Sequence, residues 1–145
     1  MIVKNTTQED IDLLLRDLCA RIPYNVKCQY SIDNTLCIGK IVNISSTGRV
    51  NIDGHIKDIC DIKPYLFPIS SIKQSKLDRD QIRAKIIDGE KGYYLRLHHF
   101  TYDNYPRLFT WFNENHIDYN SFIEKGLAND ATGLSIYRKK KGLEF

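Results

Sequence analysis

The chain has 145 residues, 42% of them apolar and 27% charged, the size and composition of one globular domain. Isoleucine, leucine, valine and phenylalanine number 19, 13, 4 and 6, enough apolar side chains to exclude bulk disorder. No apolar run approaches the roughly 18 residues of a membrane helix, and Met1-Ile2-Val3-Lys4-Asn5 lacks the core of a secretion signal. A cytoplasmic protein with no membrane partner is therefore expected. The net charge of +3 comes from one run, Arg138, Lys139, Lys140 and Lys141, so the body of the chain is not a strongly electropositive nucleic-acid binder.

Thr6 and Glu9 stand at capping-box spacing and open a helix. Ile11, Leu14, Leu15, Leu18 and Ile22 recur at i, i+3, i+4, i+7 and i+11, one apolar stripe that Pro23 ends. From Val26 the period becomes two, with Val26, Cys28, Tyr30 and Ile32 alternating with polar residues before an Asp33-Asn34 turn. Leu36 to Ile44 reads as a second strand with Gly39 as a candidate bulge. Val50 and Ile52 lie on a third, Asp53-Gly54 is a hairpin turn, and a fourth strand runs from about Ile56 to Ile62. Four short strands in this stretch predict a small curled antiparallel sheet or partial barrel.

Pro64 and Pro68 bracket Tyr65, Leu66 and Phe67 as an apolar plug outside any central strand. Ser75 and Asp78 are set to cap a polar helix through about Ile87, and Tyr93 to Tyr102 is a further strand. Pro106 suits the first turn of a helix carrying Leu108, Phe109 and Phe112. Asp118 caps a last short helix ending near Gly126. The expected architecture is α+β: residues 1–137 form a single domain and residues 138–145 a basic C-terminal tail.

The four cysteines, Cys19, Cys28, Cys37 and Cys60, form no Cys-x-x-Cys pair and have no histidine at zinc-ligand spacing. Reduced, buried apolar thiols are expected.

Three stretches carry a resemblance: 13–24 (LLLRDLCARIPY), 61–71 (DIKPYLFPISS), and Trp111 through Tyr137. Together they resemble a set of small proteins encoded by gut Bacteroidota genomes and by their phages and mobile elements. That set more often has arginine at the positions of Phe67 and Asn120, where this chain departs from it. The resemblance implies an origin and no activity, cofactor or site residue.

Nine of the sixteen aromatic residues fall between Tyr93 and Tyr119. On a strand, Tyr94, Arg96, His98, Phe100 and Tyr102 share one face, interleaving aromatic and basic groups as a base-stacking platform requires. One stacked base contributes about 1–3 kcal/mol. The plainer reading, favoured because Phe and Tyr are ordinary core material, packs this face under the C-terminal helices. The run Arg138 to Lys141 suits phosphate or simply a solvated tail.

His98-His99 and Glu114, His116 and Asp118 are the polar clusters closest to metal ligands. Adjacent strand histidines point to opposite faces, and Asp118 is explained as a cap. No Gly-x-Ser-x-Gly, Gly-x-Gly-x-x-Gly or Gly-Lys-[Ser/Thr] occurs. A Cys28–His55 pairing would need tertiary contact. No catalytic residue, metal or cofactor is therefore expected. The reading drawn is a non-enzymatic protein acting by protein–protein contact, as an accessory or host-modulating factor of a phage or mobile element. Its contact residues would be the Tyr94 face and exposed aromatics near Trp111. The alternative is a nucleic-acid-binding module using the same face and the basic tail.

Overall fold

A computed structural model describes residues 6–89, 92–97 and 104–137. Helix α1 spans Gln8–Arg21. Its cap is Thr7, whose Oγ1 accepts from the Asp10 N–H at 3.1 Å, one residue later than the expected Thr6–Glu9 box. Leu14 and Leu18 are buried, each contributing about 1.5–3 kcal/mol. Pro23 turns the chain into a 3₁₀ segment, Ile22–Tyr24, which Asn25 ends at φ 63°.

Strands β1 (Lys27–Ile32), β2 (Thr35–Ile44), β3 (Arg49–Ile52) and β4 (His55–Asp58) form the expected antiparallel set. Both tight turns have the left-handed residues that match strand twist: Asp33 and Asn34 at φ 48° and 65°, Asp53 and Gly54 at 50° and 96°. The bulge in β2 is not at Gly39. The register shifts between Ile41 and Asn43, while Gly39 allows a close approach: a Cβ there would lie 2.7 Å from Ile52 Cγ2. β4 stops at Asp58, short of the expected Ile62, because the Asp58 carboxylate accepts from the Cys60 N–H and caps a 3₁₀ turn, Ile59–Asp61.

The supposed plug is a strand. β5 (Lys63–Pro68) pairs antiparallel with β1 through Lys63 and Pro64. It also pairs in parallel with two short strands, β8 (Ile117–Asp118) and β9 (Asn129–Asp130). Its prolines are tolerated because the groups between them carry the pairing: the Phe67 N–H donates to the His116 carbonyl at 2.8 Å, and the Leu66 carbonyl accepts from the Ala131 N–H at 2.8 Å. The sheet is mixed and open, in the order β4-β3-β2-β1-β5-β8, with β9 branching from β5.

The expected helix to Ile87 is short: α2 spans Gln74–Arg79 without a side-chain cap. Strand β6 (Ala84–Gly89) follows and pairs with β7 (Gly92–Leu97) as a separate two-stranded sheet. β-branched Ile86 and Ile87 favour the strand, and the Gln74 side chain, which accepts from the Ile86 N–H at 2.9 Å, ties it to α2. The rest of the predicted strand, to Tyr102, lies outside the described residues. Helix α3 spans Asn104–Glu114 with Pro106 in its first turn. The final helix reduces to a single helical turn: Asp118 accepts from the Phe122 and Ile123 N–H groups at 3.0 and 2.9 Å. The Leu127 N–H closes it on the Phe122 carbonyl at 2.8 Å, with Gly126 left-handed.

Two apolar clusters result. The first joins α1 to one face of β1–β5 through Leu18, Val26, Ile41, Ile52 and Leu66. The second gathers α2, β6, β7 and α3 around Leu77, Leu108, Trp111 and Phe112. No helix among the described residues is long and apolar enough to cross a membrane.

Candidate functional site

Two surfaces stand out, one on each sheet. The first is the leading half of β2. Cys37, Gly39 and Ile41 point toward the core, while Leu36 and Ile38 point outward and are 68% and 53% exposed. The Ile41 N–H donates to the Val26 carbonyl at 3.0 Å. Since ladder bonds alternate along an antiparallel strand, the odd-numbered residues of β2 face β1 and the even-numbered ones face away. β3 covers that far side only from Ile41 onward, and the Lys40 N–H is taken by the Asp53 carboxylate at 3.0 Å. Among the described residues, no strand pairs with the outward backbone groups of Leu36 and Ile38. Open edge and exposed apolar side chains therefore coincide on the same two residues. Val42 and Ile56 are further exposed apolar side chains on this sheet.

The second surface is the outer face of the β6–β7 hairpin. Ala84, Ile86 and Leu95 turn inward to the second cluster. Lys85 pairs with Arg96 and Ile87 with Tyr94 on the opposite face. Tyr94 is 45% exposed, and Lys85 and Arg96 are exposed. Tyr94 does not pack under the C-terminal helices, contrary to the plainer reading, because the alternation gives the core its other side; the exposure of Arg96 suits the rim position that reading gave it. Beside it lies an open groove of about 350 Å³ lined by Asp78, Gln81, Ile82, Arg83 and Arg107.

Of the other predicted contact residues, Trp111 is corrected: it is 5% exposed, and its indole donates to Asp80 Oδ2 at 2.8 Å. The Lys76 ammonium sits 5.7 Å over its ring, and burial lowers that lysine to about 8. Among the described side chains of α3, Phe109 and not Trp111 is the exposed aromatic. His98, Phe100, Tyr102, Arg138, Lys139, Lys140 and Lys141 lie outside the described residues, as does the His98-His99 pair.

The remaining polar clusters are structural. Glu114 is exposed, His116 stacks on Tyr137 with centroids 3.6 Å apart, and Asp118 caps a turn. Among the described residues no three His, Cys, Asp or Glu side chains are grouped to hold a metal ion. Cys28 is buried, and burial, with Asp53 adding to it, pushes its thiol up to about 12, the reverse of an activated nucleophile. Cys19 is exposed on α1, against the expectation of a buried thiol. The small pocket beside α1, about 10 Å³ and lined in part by Leu14, Ile59 and Leu127, holds no more than one water.

Sequence reasoning misses Leu36, Ile38 and Lys85. A signal exists for the first two: residues 36–42 are apolar at both parities, which marks a strand buried on both faces or one showing an apolar face. Lys85 is hidden by the expected helix through Ile87. No protein-family model, curated protein or solved structure matches the chain.

Proposed function

We propose that this protein is a small non-enzymatic binding protein that takes an extended segment of a protein partner as an added strand on the free edge of β2. The supporting observation is the coincidence on Leu36 and Ile38 of outward backbone groups and 68% and 53% exposed side chains. Strand addition uses both at once: main-chain hydrogen bonds supply affinity and alternate side chains supply specificity. An edge left this apolar is an aggregation liability, and natural sheets usually blunt it with charge, proline or a cover. Retaining it is costly unless a partner uses it. With the resemblance to proteins of Bacteroidota phages and mobile elements, the reading extends to an accessory or host-modulating factor acting in the cytoplasm.

The test is affinity capture of the tagged full chain from a Bacteroidota host lysate, with and without nuclease, alongside Leu36→Lys/Ile38→Lys and Ile38→Pro. Proline at 38 removes only an N–H that faces away from β1, so the ladder to β1 stays intact. A partner held after nuclease by the wild type and lost by both edge variants is the expected result. Equal retention by the variants, with wild-type circular dichroism, rejects the edge.

A further inference from the structure

The outer face of the β6–β7 hairpin carries an arrangement that folding alone does not account for. Lys85 and Arg96 are directly opposed in the register, and like charges so placed oppose strand pairing. Among the described residues neither belongs to an ion pair. Two residues along, on the same face, Tyr94 presents a ring at 45% exposure. Arg83, two residues before Lys85, is also exposed. It lines the adjacent open groove together with Arg107, whose Nη2 donates to the Gln81 carbonyl at 3.3 Å. One carboxylate, Asp78, lines that groove as well, and a second, Asp88, is exposed near the turn but falls at the opposite parity of β6. The hairpin face itself is thus cationic around an aromatic ring.

We propose that this face binds single-stranded nucleic acid, with Lys85, Arg96 and Arg83 meeting successive phosphates and Tyr94 stacking one base. The charge calls for a polyanion. The ring selects one whose flat bases are unpaired, since a duplex hides them and an acidic protein has none. The site is separate from the β2 edge and does not rest on strand addition there.

Fluorescence anisotropy of the full chain with labelled oligothymidylate and oligouridylate of about 15 nucleotides tests it. Binding is expected to weaken steeply between about 50 and 200 mM salt. Lys85→Gln/Arg96→Gln lowers the slope of log affinity against log salt by about 1.4, which is about 0.7 for each phosphate that is no longer neutralised. Tyr94→Ala weakens binding by about 5- to 160-fold at constant slope. Leu36→Lys/Ile38→Lys leaves the anisotropy curve no weaker than wild type, which separates this site from the edge. Three results overturn the proposal: no binding at the lowest salt, an unchanged slope in the Lys85/Arg96 variant, or equal competition by polyglutamate or duplex DNA. The substituted side chains are exposed, so circular dichroism and thermal unfolding matching wild type establish that each variant is folded.

Discussion

Arg21 Nε donates to Asp17 Oδ2 at 2.7 Å, one turn apart on α1, with neither side chain exposed at all. Asp17 Oδ1 also accepts from Arg21 Nη2 at 3.1 Å and from the Asn120 amide at 3.0 Å. The same Nη2 reaches the Ile117 carbonyl at 2.6 Å, and the guanidinium lies 4.9 Å from the centre of the Tyr119 ring. The pair therefore clamps α1 to the segment after α3. β5 pairs with β8 beside it.

Removing one member of such a pair strands a buried charge. Asp17→Ala is expected to cost about 3–5 kcal/mol, whereas Asp17→Leu/Arg21→Met recovers most of that loss because neither charge remains to desolvate. Urea unfolding of the two variants checks this. A single-variant cost below about 1 kcal/mol would show that water reaches the guanidinium.

Gly39 has no room for a methyl group. A Cβ there meets Ile52 Cγ2 at 2.7 Å, Asp53 Oδ2 at 2.8 Å and Tyr30 Cε1 at 3.0 Å. Gly39→Ala must push β2 away from the β3–β4 turn, breaking the bond from the Lys40 N–H to Asp53. The expected loss is about 1–3 kcal/mol, the ordinary range for overpacking. A variant as stable as wild type in chemical unfolding would contradict this packing.

Much of the first half is legible because its signals are local. The α1 stripe, the period-two run from Val26 and the Asp33-Asn34 and Asp53-Gly54 turns each fix conformation within a few residues. The departures share a different origin. β5 has two prolines and looks unfit for a central strand, yet its partners β8 and β9 arrive from fifty or more residues away and use only the groups it can offer. β6 reads as helix in the sequence because a short polar segment capped by Ser and Asp is ambiguous until a partner strand is known. The buried Arg21 is unreadable for the same reason: arginine in the last turn of a helix ordinarily faces solvent, and besides Asp17 its partners, the Ile117 carbonyl and the Tyr119 ring, come from the far end of the chain. In the candidate sites, the Tyr94–Arg96 face can be seen in the alternation. Lys85 cannot, because it depends on the register of β6.

The cysteines are expected to separate by reactivity. Cys19 is exposed, whereas Cys28 is buried with its thiol raised to about 12. A thiol reagent at pH 8 should label Cys19 within minutes and Cys28 only on unfolding, with half-buried Cys37 and Cys60 between them. Peptide mapping of the labelled sites gives the order. Labelling of native Cys28 as fast as Cys19 would mean that the first cluster opens locally.

His116 links stability to pH. Burial lowers its pKa from 6.5 to about 3, with Arg21, Lys76 and Lys27 adding repulsion. The folded protein therefore keeps the ring neutral where the unfolded chain protonates it. In that window the unfolded state binds more protons, so stability is full above about pH 6.5 and falls as pH drops toward 3. This one group contributes a slope of up to about 1.4 kcal/mol per pH unit. The measurement needs a matched control in which only this ring is replaced. Asparagine suits the left-handed backbone at this position, φ 59°, and does not titrate. His116→Asn loses the ring stacked on Tyr137 and is less stable at pH 7, but its stability should change less between pH 6.5 and 4.5 than that of the wild type. Parallel curves for the two proteins across that interval would show that the folded state protonates His116 as readily as the unfolded chain does.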